Sequence, residues 1–403
     1  MDLQLLSATA SPTLSTLLSD STLDPMLYSI KSSYPLLSRQ RVGIKAGTSW
    51  DFGKTNVFTL NRYGILVGLV AKIFVDGHSS APVPVENFGH YLVKNASLTS
   101  HSREIEQLDS TVNLVRTMDM PLGAKESIMA VSNSNDVSGI DADGKYVYVP
   151  LHFSFTKNGL SSALDLQFVE QIECSVTLGA AADIFSANSG NAAITAANCE
   201  LLCYYYNASE ADLRSYEDKE FSLQKPLSMM LHNVYQEATT TPSATSSTDQ
   251  QSSTISLNVP NVVTRTMITL QNTTDDGKGK FHAIDEIVFK ISGREVYTAT
   301  GDEIQKLENA LFFGSAYGIG DIGGDGGSNY NENVYVHNFQ VANERNRFCG
   351  GVSGKNCSDF SCTVKWTPAD TSATNWEINV SHEYVQIVSV SGASGKIGVS
   401  LSL

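Results

Sequence analysis

Residues 199–235 constrain the fold more than any other part of this chain, because they read as a junction between two similar β-rich halves. An apolar strand closes one half, a charged turn follows, and a second apolar stretch opens the next half. Each side of the junction carries roughly 190–215 residues, a size that suits one β-sandwich. A chain of 403 residues is also too long for a single ordinary core. The sequence therefore predicts two domains in tandem.

The predicted boundaries place an N-terminal arm at 1–40, a first sandwich at 41–216 and a second sandwich at 217–403. The arm is rich in Ser, Thr and Leu and is interrupted by three prolines. A polar segment of this kind usually becomes ordered only against a partner. Two interpretations of the arm stay open, a frayed terminus and a segment that binds a partner.

The first half contains strands of two kinds and one predicted helix. Tyr63–Val75 is a continuous apolar run, which is typical of a strand buried on both faces. Residues 172–178 alternate apolar and polar side chains, as a half-exposed strand does. Residues 100–120 favour a helix, because apolar residues recur there at helical spacing. These are Ile105, Leu108, Val112 and Val115.

The second half repeats this organisation less regularly. Residues 283–300 predict a hairpin that reverses near Gly293. Residues 301–314 predict a helix capped by Asp302. Its apolar stripe is formed by Ile304, Leu307, Leu311 and Phe312. Many short strands with one or two short helices indicate an all-β protein made of antiparallel sandwiches. Because strict alternation is weak in several strands, we expect both faces of those strands to be covered.

Charge and apolar patterning limit the possible function classes. The formal net charge of −15 argues against direct nucleic-acid binding, which requires a basic surface. The N-terminus carries Asp2 and no basic stretch, so no secretory signal is predicted. The longest apolar run, Tyr63–Val75, contains Lys72 and is shorter than the ~20 residues that a bilayer requires. We therefore expect a soluble or assembled protein rather than one that spans a membrane.

No motif predicts a metal site. Asp141 and Asp143 resemble the start of a calcium loop, but the acid that should follow is missing, so a turn before a strand is favoured. Asp321 and Asp325 lie in a glycine-rich segment that is interpreted as a surface loop. The six cysteines form no CxxC pair and are predicted to be reduced and mostly buried. A zinc site is not predicted from the spacing of Cys349, Cys357 and Cys362 with His337 or His382.

No catalytic or cofactor-binding residue is predicted either. Residues 349–356 resemble a phosphate loop but lack its first Gly and its final Ser or Thr. The chain has no GxSxG motif, and its eight histidines are scattered. Tyr204, Tyr205 and Tyr206 could form a platform for sugars, although a strand that runs from the core to an interface is preferred. Two sandwiches without a catalytic set of residues favour a structural subunit of an assembly over an enzyme.

Three segments of the chain carry a family resemblance. They are SSYPLLSRQRVGI followed by FTLNRYGILVGLVAKIFV, then ANCELLCYYYNASEADLRSY, and finally GREVYTATGDEIQKLENALFFG. In their order along the chain they resemble the double jelly-roll major capsid proteins of tailless icosahedral viruses, the lineage that includes phage PRD1 and adenovirus. The resemblance implies an all-β fold of two tandem eight-stranded antiparallel jelly rolls. It also implies a structural role without cofactors, metals or small-molecule substrates.

The resemblance further implies partners. Three copies would form a homotrimer with a nearly hexagonal outline, and trimer–trimer contacts would build the capsid of a virion assembled in the host cell. Penton or minor capsid proteins would join the shell. The arm at 1–40 would face inward, toward an internal membrane or neighbouring trimers, while loops at 239–254 and 318–330 would face outward. A tandem-sandwich adhesin or carbohydrate-binding protein is the alternative.

Overall fold

The structure is a computed structural model of the single chain. It describes residues 37–400 except 47–49, 62–63, 101–102, 121, 135–137, 157–163, 167–170, 209–226, 237–248, 259–261, 273–280, 309–332, 341–349, 354–358, 369–375 and 391–396. Among the predicted features, the arm up to residue 36 and most of the loops at 239–254 and 318–330 lie outside the described residues. So do Leu311, Phe312, Asp321 and Asp325.

Twelve strands belong to the first half of the described chain. They are β1 (Leu37–Ile44), β2 (Thr55–Thr59), β3 (Ile65–Asp76), β4 (Val83–Pro84), β5 (Val93–Ser100), β6 (Arg103–Asp109), β7 (Lys145–Leu151), β8 (Leu164–Asp165), β9 (Ile172–Leu178), β10 (Phe185–Ala187), β11 (Ala193–Ile194) and β12 (Glu200–Ala208). Its α-helices are α1 (Phe88–Leu92), α2 (Ser110–Met118), α3 (Leu122–Val131) and α4 (Ala181–Ile184). Short 3₁₀ turns occur at Ser154–Thr156, Ser189–Asn191 and Ala196–Asn198.

Ten strands belong to the second half. They are β13 (Leu227–Gln236), β14 (Gln251–Ser256), β15 (Val262–Asn272), β16 (Glu286–Ile291), β17 (Arg294–Thr300), β18 (Val334–Asn338), β19 (Val352–Ser353), β20 (Phe360–Trp366), β21 (Trp376–Val390) and β22 (Ile397–Ser400). A helical turn with π geometry occupies Glu303–Glu308.

The first half folds as a jelly roll. One of its sheets has the order β1-β12-β3-β7, because β3 pairs with both β12 and β7, and the facing sheet has the order β2-β9-β5-β6. The eight principal strands are β1, β2, β3, β5, β6, β7, β9 and β12. Numbered 1 to 8 in chain order, they form one sheet with the order 1-8-3-6 and a second sheet with the order 2-7-4-5. This permutation is that of an eight-stranded jelly roll with two Greek keys. All of the pairings are antiparallel.

The second half repeats the same permutation. Its sheets have the orders β13-β21-β15-β18 and β14-β20-β16-β17, again 1-8-3-6 and 2-7-4-5 once the short strands β19 and β22 are set aside. No sheet joins the two halves within the described residues. The predicted fold class, all-β with two tandem eight-stranded antiparallel jelly rolls, is confirmed. We call the two halves the first roll and the second roll.

Most of these strands alternate between buried and more exposed side chains. In β9 and β20 every second residue is buried, as expected for strands with one face on a core. β15 differs, because ten of its eleven residues are buried. The expectation that weakly alternating strands have both faces covered is confirmed for β15. Tyr63–Val75 was predicted to be buried on both faces, but β3 alternates between buried and half-buried residues.

Two helix predictions need correction. Residues 100–120 were predicted to be one helix, but 103–109 form strand β6 and only 110–118 form helix α2. Asp109 separates the two elements, because its backbone is extended and its side chain accepts a hydrogen bond from the amide of Val112. Four α-helices, rather than one or two, occur in the described part of the chain.

The second correction concerns the stretch 301–314. Its described part is helical over 301–308, with π geometry from Glu303 onward. Ile304 is buried as predicted, whereas Leu307 is 52% exposed. The side chain of Leu307 is therefore not part of an internal apolar stripe. The hairpin prediction is confirmed, since Ser292 and Gly293 form the turn with positive φ angles of 50° and 74°.

The first and last residues of the strands can be compared with the predicted domain limits. β1 begins at Leu37, so the last four residues of the range assigned to the arm lie in a strand. The last strand of the first roll ends at Ala208 and the first strand of the second roll begins at Leu227. The predicted boundary between 216 and 217 lies outside the described residues. The limits 1–40, 41–216 and 217–403 therefore stay predictions.

Candidate functional site

Most of the sequence motifs considered above lie at positions that serve the fold, in turns or in the core. Asp141 and Gly144 close a turn immediately before β7, as predicted, through a hydrogen bond of 2.9 Å from the Gly144 amide to the Asp141 carbonyl. Cys174, Cys199, Cys203 and Cys362 are free and buried, whereas Cys349 and Cys357 lie outside the described residues. No group of His, Cys, Asp or Glu side chains in the described residues could hold a metal ion.

The structure separates the three tyrosines of β12. Tyr205 points into the core of the first roll and is fully buried, while Tyr204 and Tyr206 are half-buried on the opposite face of the sheet. Such alternation follows from the period of two along a strand. The three rings therefore do not form one platform.

The polar residues that the structure brings together lie between the two rolls. The sheet β13-β21-β15-β18 of the second roll has one face on its own core and the other face on the first roll. Ile268 and Leu270 of β15 belong to the second-roll core, whereas Met267 of the same strand joins the first-roll core. Val334 and Val336 of β18 also join the first-roll core. The two rolls therefore share a continuous apolar interface.

A buried charge cluster crosses this interface. We define it as Glu106 on β6, Arg116 on α2, Asp119 at the end of α2, Arg265 on β15 and Glu383 on β21. Three of these residues come from the first roll and two from the second. The side chains of Glu106, Arg116 and Glu383 are at most 2% exposed.

Arg116 lies at the centre of the cluster. Its Nη1 donates to Oε1 of Glu106 over 2.9 Å and to the carbonyl oxygen of His152 over 2.6 Å. Its Nε donates to Oε1 of Glu383 over 2.8 Å. One guanidinium thus joins two carboxylates from different rolls. Arginine suits this role because its planar group presents several donors in fixed directions.

The second-roll side of the cluster is a cross-strand pair. Arg265 and Glu383 are directly opposite each other on β15 and β21, and Nε of Arg265 donates to Oε2 of Glu383. Nη1 of Arg265 donates to Oδ2 of Asp119 over 2.7 Å. The chain of contacts therefore runs from Glu106 through both arginines to Asp119. Three carboxylates face two guanidinium groups.

Burial and the neighbouring opposite charges together set the pKa values in the cluster. Loss of solvation raises the pKa of Glu106, although Arg116 and the hydrogen bonds from Ser154 act in the opposite direction. Ser154 donates from its amide to both carboxylate oxygens, over 2.9 and 3.0 Å, and from its hydroxyl over 2.9 Å. The two carboxylates raise the pKa of Arg116 despite its burial. The arginine is therefore held in its charged form.

Two further polar contacts join the rolls beside the cluster. The hydroxyl of Ser381 donates to Oδ2 of Asp109 over 3.2 Å, and Nε2 of Gln271 donates to the hydroxyl of Tyr91 over 3.1 Å. The ring of Tyr91 lies 6.4 Å from that of Phe281, centroid to centroid. Apolar, polar and charged contacts together fix one orientation of the second roll against the first.

Sequence reasoning did not identify any member of this cluster. Arg116 and Glu383, for example, lie 267 residues apart in the chain. One signal was present, since polar residues interrupt the apolar pattern of α2 on the side that carries Val112 and Val115. This interruption indicates that Arg116 is buried, but the carboxylates that pair with Arg116 depend on the tertiary fold.

The arrangement can position the two rolls but offers no reactive group. Each carboxylate of the cluster is hydrogen-bonded to an arginine. None of the helices in the described residues is long and apolar enough to cross a membrane. Because the charged contacts of the cluster link residues of both rolls, the site is interpreted as the structural joint of a two-roll block.

Comparison with known proteins supports this fold. No protein-family model and no curated protein matches the chain. Among solved structures, the PBCV-1 virus capsid gives a TM-score of 0.73 at 14% identity, covering 92% of this chain and 98% of that one. The Faustovirus major capsid protein gives 0.65 at 10% identity, covering 96% and 98%. The mavirus major capsid protein gives 0.55 at 10% identity, covering 95% and 96%.

These likenesses concern the fold, because the sequence identities are low. Each match extends over nearly the whole of both chains, so the likeness includes both rolls. The chain has the double jelly-roll fold of capsid proteins, and the resemblance drawn from its three segments is confirmed for the fold.

Proposed function

We propose that this protein is a major capsid protein, the structural subunit of the shell of a tailless icosahedral virus. The observation that carries the proposal is that two jelly rolls of the same strand order account for the described chain and match major capsid proteins along nearly their whole length. The role is structural rather than catalytic, and its place is the capsid of the virion.

The joint between the rolls suits this role. A closed shell is built from many copies of the same contacts, so each subunit must hold its contact surfaces in a constant geometry. The buried charge cluster serves this need, because a buried ion pair satisfies its members in one arrangement of the two rolls. Each roll then behaves as part of one rigid block rather than as an independent domain.

We propose three copies per capsomer, which gives six rolls and a nearly hexagonal outline. The first roll would comprise 41–216 and the second 217–403, while the arm at 1–40 would reach an internal membrane or a neighbouring trimer. Penton and minor capsid proteins would be further partners. The net charge of −15 supports a shell that surrounds the genome without binding it directly.

Size-exclusion chromatography with light scattering tests the proposal. We expect a particle of about three times the chain mass of 43.5 kDa, and negative-stain images of it should show a hexagonal outline. A monomer at micromolar concentration would contradict the capsomer. Binding of such a monomer to a glycan array would instead support the adhesin, which the likeness to capsid proteins does not favour.

A further inference from the structure

His337 lies between the two sheets of the second roll. It belongs to β18, the last strand in the order β13-β21-β15-β18. The centre of its ring lies 4.0 Å from that of Tyr297 on β17 and 5.1 Å from that of Phe289 on β16, both in the facing sheet. The ring of Phe339, just after β18, is 4.7 Å away. An imidazole therefore fills the space where the last strands of the two sheets meet.

β17 is held to the second roll by few contacts. It ends its sheet and pairs only with β16 within the described residues. Five of its seven residues are exposed, with Val296 at 53%. The residues of β17 that pack on the core are Tyr297 and Ala299. Since the Tyr297 ring is the one in contact with His337, the histidine supports one of the two inward side chains of this strand.

The groups around the His337 ring determine how it responds to a proton. Thr266 on β15 is directly opposite His337, and its hydroxyl is hydrogen-bonded to Nδ1 of His382 over 2.7 Å. From the facing sheet, Tyr297 is the titratable group in ring contact. The charged residues that the structure describes on the surrounding strands and on the turn at 301–308 lie elsewhere: Arg265 in the buried charge cluster, Glu286 paired with Lys365, Lys290 opposite Glu295, and the exposed Arg294, Asp302 and Glu303.

A proton on His337 opposes this packing. Loss of solvation lowers the pKa of His337 from 6.5 to about 4 in the folded roll. Attraction between an imidazolium and the tyrosine ring acts in the opposite direction and limits the size of the effect. The packed arrangement thus binds a proton less readily than an arrangement in which β17 has moved away and the histidine is solvated.

We infer that His337 is a pH switch for β17: the neutral imidazole keeps the strand packed, and its protonation releases the strand from the edge of the second roll. The release is local, because β17 pairs with one strand whereas β16 and β20 each keep a partner on both sides or on the inner side. This inference goes beyond the proposed function and does not depend on it, since it concerns the response of one strand to acid in the folded chain.

Hydrogen exchange followed by mass spectrometry tests the switch. Peptides that cover β17 report its opening once the rates are corrected for the pH dependence of unprotected amides. From about pH 7.5 to pH 5 we expect the opening equilibrium of β17 to increase about 30-fold, because the pKa of His337 changes from about 4 to about 6.5 on opening. Peptides from β20, an inner strand of the same sheet, are the internal reference and should show no comparable increase.

Variants separate the effect of the proton from that of packing. His337→Phe keeps a ring at this position but binds no proton, so β17 should be equally protected at both pH values. Tyr297→Ala removes the ring that covers the histidine, so β17 should already be less protected at neutral pH and should respond less to acid. His90→Gln is the matched control, because it removes a buried histidine of similar pKa from the first roll and should leave the response of β17 unchanged.

Exchange of the C2 proton of His337 provides a measurement that needs no substitution at the histidine. It should report a pKa of about 4 in the wild type and a pKa closer to 6.5 in Tyr297→Ala. The inference is overturned when β17 of the wild type shows no increase in acid, or when β20 opens as much as β17. It is also overturned when folded His337→Phe responds to acid like the wild type.

Discussion

At the scale of single residues, the joint between the rolls depends on the arginine at its centre. Arg116 donates to Glu106, Glu383 and the carbonyl of His152, and all of these contacts are buried. A buried ion pair contributes little net stability compared with an apolar replacement of the whole group, but removing one member leaves an uncompensated charge. The cluster should therefore be sensitive to loss of a single partner.

Replacing Arg116 with Met tests this sensitivity. We expect Arg116→Met to lower the free energy of unfolding by about 3–5 kcal/mol, because Glu106 stays buried without its cation. Unfolding in urea measures the change. The matched control is Lys54→Met, which removes a surface pair with Asp51 and should cost at most about 1 kcal/mol. Equal effects of the two substitutions would contradict a stabilising role for the cluster.

At the scale of elements, the boundary between β6 and α2 brings the cluster together. Ile105 and Leu108 lie in the strand, whereas Val112 and Val115 lie in the helix, and all four are buried. Their spacing suits a helix, but the strand is the edge of a four-stranded sheet and pairs with β5 over 103–109. The change of element at Asp109 places Glu106 and Arg116 next to each other.

Substitution of Asp109 tests the boundary. Its carboxylate accepts a hydrogen bond of 2.6 Å from the Val112 amide at the start of α2. Asp109→Ala removes this cap together with the hydrogen bond from Ser381 across the rolls. We expect the loss of the cap alone to lower the free energy of unfolding by about 1–2 kcal/mol, because that amide loses its partner. Asp109→Asn is the control, since asparagine caps a helix about as well as aspartate. Denaturant unfolding of both variants decides the point, and an Asn variant as unstable as the Ala variant would argue against a capping role.

At the scale of the whole molecule, each roll contains a histidine whose environment disfavours its charged form. His90 is fully buried and hydrogen-bonded to Ser134 and Thr117, each over 3.0 Å, and burial lowers its pKa to about 4. His337 is packed among aromatic rings in the second roll, and loss of solvation lowers its pKa to about 4 as well. Burial at these two positions therefore favours the neutral form of both histidines.

The pH dependence of unfolding tests this property. Between about pH 6.5 and 4 the unfolded chain binds protons at histidine that the folded chain does not. The free energy of unfolding should thus fall as pH falls through this range, with His90 contributing up to about 3 kcal/mol. His90→Gln should flatten the profile, because it removes the histidine whose pKa burial lowers to about 4. A wild-type profile without a slope between these values would contradict the prediction.

The sequence by itself determined the class of the fold and the position of most strands. Residues 172–178 alternate because only one face of β9 meets a core, and Ser292-Gly293 reverses the chain because glycine adopts a positive φ readily. The pattern of two β-rich halves around 199–235 agrees with the change from one jelly roll to the next. These features are local, so a linear pattern records them.

Only the tertiary structure decided which faces are covered and which charges meet. β3 and β15 occupy the same place in their rolls, yet β15 is covered on both faces because the first roll packs against it. Arg116 finds Glu383 although the two are 267 residues apart. Contacts of this kind depend on how whole sheets pack, and the free energy of burying a charge or an apolar face is shared by residues that no local pattern connects.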